Sequence, residues 1–163
     1  MAQGFGRTAT YQTGIPIQVS ADGQPEAVLG GITIDWSTVV AVTADTTLAD
    51  GTIVPNGRKF LLYGQVLCKI TASGMYGPYL STALDGRQTL TRSEVVILNR
   101  TQLEVPLFGA GVTNSQNPQV FEGGMAFLDR IMTTTAGDAN NPTITALLAV
   151  MPRLRVVEGT KVV

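Results

Sequence analysis

A chain of 163 residues carrying 11 basic and 12 acidic side chains, one cysteine and no histidine is long enough to bury about 70% of its unfolded surface without help from a metal or disulfide. Its net charge of −1 supplies no field to attract nucleic acid, and one cysteine excludes an internal disulfide. The missing histidine removes the commonest general base and zinc ligand, and with it any Ser-His-Asp, Cys-His or His-Glu-x-x-His site built from this chain alone.

Charged residues are 14% of the chain, well below the roughly 25% of an average soluble protein, and mean hydropathy is positive. A low-charge, apolar chain of this kind fits a homo-oligomer or a docked subunit. The first twenty residues, rich in Gly, Thr and Gln and dotted with Phe5, Tyr11, Ile15 and Ile17, lack helical periodicity and are expected to form an extended N-terminal arm. Residues 21–163 are expected to form a single β-rich domain. No apolar core follows the first basic residue, so no secretory signal is expected and synthesis in a reducing cytoplasm is.

From Ala27 the pattern turns β-like. Ile32 to Trp36 alternates and Val39 to Val42 follows, with Asp22-Gly23, Asp50-Gly51 and Asn56-Gly57 as turn signals. Arg58 to Tyr63 reads as the strand after the last of these turns. In the next strand Val66, Cys68 and Ile70 share one face, while Leu67 and Lys69 share the other. Val95 to Leu98 and Gln102 to Leu107 are expected strands, Pro106 marking an edge or strand end. Gly109 to Pro118 reads as a loop, Gly123-Gly124 opens an apolar run to Met132, and Thr133 to Asn141 is a second polar loop. Asn141 and Pro142 are expected to cap and start one short C-terminal helix through Met151, stopped by Pro152. Leu154, Val156 and Val162-Val163 suggest a last strand. The longest apolar run, Ala146 to Met151, is far too short to cross a bilayer, so no membrane association is expected.

Chemistry is sparse along this scaffold. Cys68, flanked by Leu67 and Lys69 in a strand, reads as a small buried hydrophobe rather than a nucleophile. Asp22, Asp50 and Asp85 each precede glycine and are accounted for as turn formers. Glu94, Glu104 and Glu122 are isolated in sequence, so a paired-carboxylate site of the glycosidase kind has no spacing to support it. Gly4-Phe5-Gly6-Arg7-Thr8-Ala9 matches the loose dinucleotide pattern but follows no strand and opens no helix. Asn99-Arg100-Thr101 is a formal glycosylation sequon. Tyr76 and Tyr79, without basic neighbours, read as groups packing across a loop rather than a stacking platform. No catalytic, cofactor-binding or metal-binding residue is assigned, and no enzymatic activity is expected.

One stretch is more specific. Leu67-Cys68-Lys69-Ile70-Thr71-Ala72-Ser73-Gly74-Met75-Tyr76-Gly77-Pro78-Tyr79, then Asp85-Gly86-Arg87-Gln88-Thr89, framed by Val66-Leu67 and Ile97-Leu98, resembles the lambda-type head decoration proteins of tailed bacteriophages. A fainter likeness runs through Gly123-Gly124 to Pro152-Arg153-Leu154, while residues 1–61 carry no matching motif. Members of that family often have an acidic residue after the second tyrosine and a glycine before the Ile-Leu strand. Leu80 and Arg92-Ser93-Glu94-Val95 stand there in this chain.

The resemblance implies a compact, mostly β fold of the β-tulip kind, which with the residue pattern gives a mainly β, β-tulip-like domain with one short C-terminal helix and an extended N-terminal arm. It implies a homotrimer that binds the major capsid protein on the outer surface of the mature virion and cements the shell, without enzymatic activity. It further implies that the arm contributes shell contacts, for which Phe5, Arg7, Tyr11 and Ile15 are the candidates. Two other readings stay open on composition alone. One is a different structural virion module, such as a fibre base, tail protein or glycan-binding domain; the other is a hydrolase with paired carboxylates or a Ser-Lys site.

Overall fold

The computed structural model describes residues 26–28, 31–49, 51–104, 106–107, 111–112, 115–116 and 119–158. The proposed arm, with Phe5, Arg7, Tyr11 and Ile15, lies outside the described residues, as do Asp22-Gly23 and Val162-Val163. The protein is mainly β with a single short helix among those residues. Five short strands come first: β1 (Glu26–Ala27), β2 (Thr33–Ile34), β3 (Thr46–Thr47), β4 (Ile53–Val54) and β5 (Phe60–Leu61). The centre is β6 (Val66–Lys69), β7 (Tyr76–Pro78) and β8 (Val95–Leu98), followed by β9 (Gln102–Leu103), β10 (Pro106–Leu107), β11 (Gly111–Val112) and β12 (Ser115–Gln116). The long β13 (Val120–Phe127), the helix α1 (Ile144–Val150) and β14 (Leu154–Val157) complete the fold.

Eight strands make the main sheet, in the order β1-β13-β8-β6-β7-β2-β12, with β14 pairing parallel to the second half of β13. Its middle is antiparallel: Val66 faces Ile97, Leu67 faces Val96 and Cys68 faces Val95, while Leu67 also faces Pro78 across β7. Successive strand side chains point to opposite faces, and here both faces are buried. Val66, Cys68, Val95, Ile97 and Phe121 pack on one side under Leu147 of α1, Met151 and Leu154. Leu67, Val96, Leu98 and Val120 pack on the other against Ile34, Trp36, Leu61 and Tyr76. All four residues of β8 are buried, which is why this run is continuously aliphatic rather than alternating. Each of these large side chains contributes about 1.5–3 kcal/mol by leaving water.

Local chemistry redraws several boundaries expected from sequence. The strand over Ile32 to Trp36 is only Thr33–Ile34, because Asp35 caps a 3₁₀ turn at Trp36–Thr38. The Asp35 carboxylate accepts from the Ser37 N–H at 2.9 Å, and the Thr38 hydroxyl donates to the Asp35 carbonyl at 2.7 Å. Such side-chain bonds compete with a sheet ladder, and the expected Val39–Val42 strand does not form. The helix begins at Ile144, two residues past the expected start at Pro142. Asn141 donates its side-chain amide to Asp138, and Thr143 accepts from the Ala146 N–H at 3.1 Å. The Gly109–Pro118 stretch contains β11 and β12, pairing with β10 and β2 respectively. β13 passes straight through Gly123-Gly124, so the apolar run that these glycines open begins inside a strand. Pro106 sits in a two-stranded pairing outside the main sheet, as an edge proline should.

Candidate functional site

The segment that carries the family resemblance occupies the middle of the main sheet. Leu67 to Ile70 and Tyr76 to Pro78 form the β6–β7 hairpin, with Gly74 closing its turn through a 2.9 Å bond to the Ile70 carbonyl. Gly77 is wedged between two side chains: a Cβ there would lie 2.5 Å from the Thr38 hydroxyl and 2.8 Å from Arg87 Cδ. Gly64, just before β6, has φ +78°, and a Cβ on it would sit 1.7 Å from the Arg130 carbonyl oxygen. That contact region also carries a bond from the Met132 N–H to the Gly64 carbonyl, so the chain entering β6 is locked to residues 130–132, which follow β13.

Arg87 is the buried charge of this segment, 9% exposed. Its Nε donates to both carboxylate oxygens of Asp85, at 3.1 and 2.9 Å, and its Nη1 donates to the Pro78 carbonyl. Burial opposes ionisation of Asp85, but bonds from the Arg87 N–H and guanidinium, with its charge, hold the carboxyl below the usual carboxylate range. The Asp-Gly-Arg triplet is therefore an internal strut tying the 85–89 turn to β7, not a reactive pair.

Cys68 is buried in the first core, and loss of water pushes its thiol up to about 12. A thiol that stays protonated is a poor nucleophile and metal ligand. Tyr76 is likewise a core side chain, with burial and then the carboxylates of Glu94 and Glu122 raising its hydroxyl above the ordinary value. Glu94 and Glu122, isolated in sequence, find partners in space. Glu94 meets Lys69 at 3.4 Å, and Glu122 shares Arg153 with Glu26, whose carboxylate lies 3.1 Å from that guanidinium. Glu104 keeps one carboxylate oxygen buried without a hydrogen-bond partner. Among the described residues no cluster of three metal-ligating side chains occurs, and no helix is long and apolar enough to cross a membrane.

What the surface offers instead is shape and apolar contact. Val40, Ile53 and Leu84 are 86%, 62% and 97% exposed. An open groove of about 500 Å³ lies beside the hairpin, between Lys69–Ala72 and the 84–94 loop. A second, of about 450 Å³, runs from Leu128 to Thr145 and is lined by threonines. Sequence reasoning anticipated the buried Cys68, whereas Tyr76, expected to pack across a loop, belongs to strand β7 and the second core. It missed the Asp85–Arg87 strut, for which the only available signal was a basic residue two positions after a turn aspartate. It also missed the grooves, whose walls come from turns without periodicity. Comparison with protein-family models, curated proteins and solved structures found no match to this chain.

Proposed function

We propose that this chain is a capsid decoration protein, a homotrimeric cement that binds the major capsid protein on the outer surface of a mature tailed-phage shell and has no enzymatic activity. It is made in the host cytoplasm, acts on the virion, and uses neither nucleic acid nor membrane as a partner. The observation that carries this reading is the resemblance of Leu67–Tyr79 and Asp85–Thr89 to that family. Physical support comes from what those residues build: a hairpin enclosed on both faces, an internal Arg87 strut and a thiol held protonated. A scaffold of that kind suits a rigid knob. Its likeness to a β-tulip belongs to the same proposal.

Shell contacts would come from the arm, through Phe5, Arg7, Tyr11 and Ile15, and from exposed apolar side chains such as Val40 and Ile53. Each contact need only be modest, because a trimer gripping several capsid subunits gains from effective concentration. Binding the mature shell alone stabilises it by mass action.

The test is co-sedimentation of the full chain with expanded capsids and with procapsids of the phage that encodes it. Binding to expanded shells only, with a raised shell melting temperature, is the expected result. Failure to bind any shell overturns the proposal, and an elongated trimer by small-angle scattering would then favour a fibre or tail module. A variant lacking residues 1–20 is expected to keep its fold and bind the shell more weakly; unchanged affinity would assign the contacts elsewhere.

A further inference from the structure

The groove between the end of β6 and the 84–94 loop has the size of a ligand site, about 500 Å³, and its walls restrict what fits. Three hydroxyls, those of Thr71, Thr89 and Thr91, line it, each able to donate and to accept. The charges at the site are already balanced in pairs: Lys69 stands 3.4 Å from Glu94, and Asp85 is bound to Arg87. With the Arg87 guanidinium counted, two cations against two carboxylates give neither a phosphate nor a metal cation a net field. An apolar ligand would strip water from the hydroxyls and from the Lys69–Glu94 pair without replacing their hydrogen bonds.

The apolar element is at the rim. Leu84 is 97% exposed, yet the backbone around it is pinned. Ala83 donates to the Leu80 carbonyl at 3.0 Å, Ser81 donates to Ala139 at 2.8 Å, and the Thr71 N–H donates to the Asp85 carbonyl at 2.8 Å. The leucine is thus presented beside the hydroxyls by fixed backbone, not left on a frayed tip. Polar groups that both donate and accept, balanced charges and one fixed apolar ledge are complementary to a pyranose ring, which offers hydroxyl edges and a C–H face.

We infer that this groove binds a neutral, hydroxyl-rich ligand of the carbohydrate class. The site is separate from the shell contacts proposed above, so the two stand or fall independently. With few buried partners the single-site affinity is weak, on the order of millimolar, and it becomes useful where many copies share one surface.

The experiment is to screen the full chain on an array of neutral and charged oligosaccharides, then to titrate the best-bound one by amide-resolved NMR. Saturable binding of a neutral glycan, with shifts centred on Thr71, Thr89 and Thr91, is expected. Leu84→Ser and Thr89→Val should each weaken it about 3- to 10-fold while leaving the melting temperature and shell co-sedimentation unchanged. The inference is overturned if no neutral glycan binds, if sialylated or sulfated glycans are preferred, or if both variants bind as the parent does.

Discussion

Between Val66 and Leu98 most strand side chains are enclosed on one face of the sheet or the other, whereas beside the β3–β4 hairpin Val40 and Ile53 stand largely in water. The first region is a sheet and the second is a short hairpin with the irregular 39–42 chain beside it, yet both are tied down. Val42 exchanges backbone bonds with Gly57 and Arg58, and the Asn56 N–H donates to Asp45. They differ in what covers them. The central strands have α1 and Met151 above and Trp36 and Leu61 below, and the hairpin's outer face has no such layer among the described residues. The strands of the stretch that resembles a known family are thus scaffold, and its exposed residues, Leu84 above all, lie in the turns between them. A family likeness of this kind informs about shape before it informs about contacts.

That contrast can be broken most severely at Gly64. Gly64→Ala combines a strained positive φ with a clash against the Arg130 carbonyl, and a loss of about 3–5 kcal/mol is expected in urea unfolding. A near-neutral result would mean that the β6 entry can shift away from the 130–132 chain. Next comes Cys68→Asp, which places a carboxylate in the first core; the expected cost is several kcal/mol, about 3 or more. The companion measurement is thiol labelling at pH 8, in which the native protein should react only as fast as it unfolds. Rapid labelling would mean that Cys68 is open to solvent.

A middle-sized effect is expected at the strut. Asp85→Asn leaves the buried Arg87 guanidinium with a neutral partner, costing about 1–3 kcal/mol at pH 7. Folding lowers the Asp85 pKa, so its stabilisation is complete above the ordinary carboxylate value of about 3.9 and is lost as pH falls through the lower folded value. Melting curves of parent and variant should therefore converge on acidification below about pH 4; parallel curves would remove Asp85 from the acid transition.

Ser93 is the one non-glycine residue with positive φ among those described, at +66°, and it precedes β8 close to where the resembling family often has glycine. Ser93→Gly is expected to raise stability slightly, by about 0.5–1 kcal/mol, and a loss would show that its side chain does more than tolerate the turn. The smallest stability effect belongs to the hairpin: Val40→Ser with Ile53→Ser should change unfolding by less than about 0.5 kcal/mol each yet reduce shell co-sedimentation. A large loss of stability would show that these side chains are covered after all.

Much of the centre was legible because strand periodicity is simple. Val66 and Cys68 on one face and Leu67 on the other follow from alternation alone, and an unbroken aliphatic Val95–Leu98 fits burial from both sides. What was not legible depended on which partner a polar side chain chooses. Asp35 could extend a strand or cap a turn, and the choice was decided by Ser37 and Thr38 nearby. Asn141 was drawn to Asp138, leaving Thr143 to start the helix. The groove was invisible because Lys69, Leu84 and Thr91 come together only once the 80–91 loop is pinned to Thr71 and Ala139. The arm residues lie outside the described part, so their role rests on the resemblance.

The long β13 has a consequence for how this protein comes into being. Its first half pairs with β1 and β8 and its second half with β14, and Arg153, one residue before β14, grips Glu26 of β1 and Glu122 of β13. Strands β1 and β14 thus meet on one backbone, so the sheet cannot close behind a ribosome until residues 28–153, which separate them, have been made. Such distant pairing is slow. On a ribosome the aliphatic β8 waits uncovered meanwhile, and hydrogen exchange during refolding should show the β6–β7 hairpin protected before β13 is.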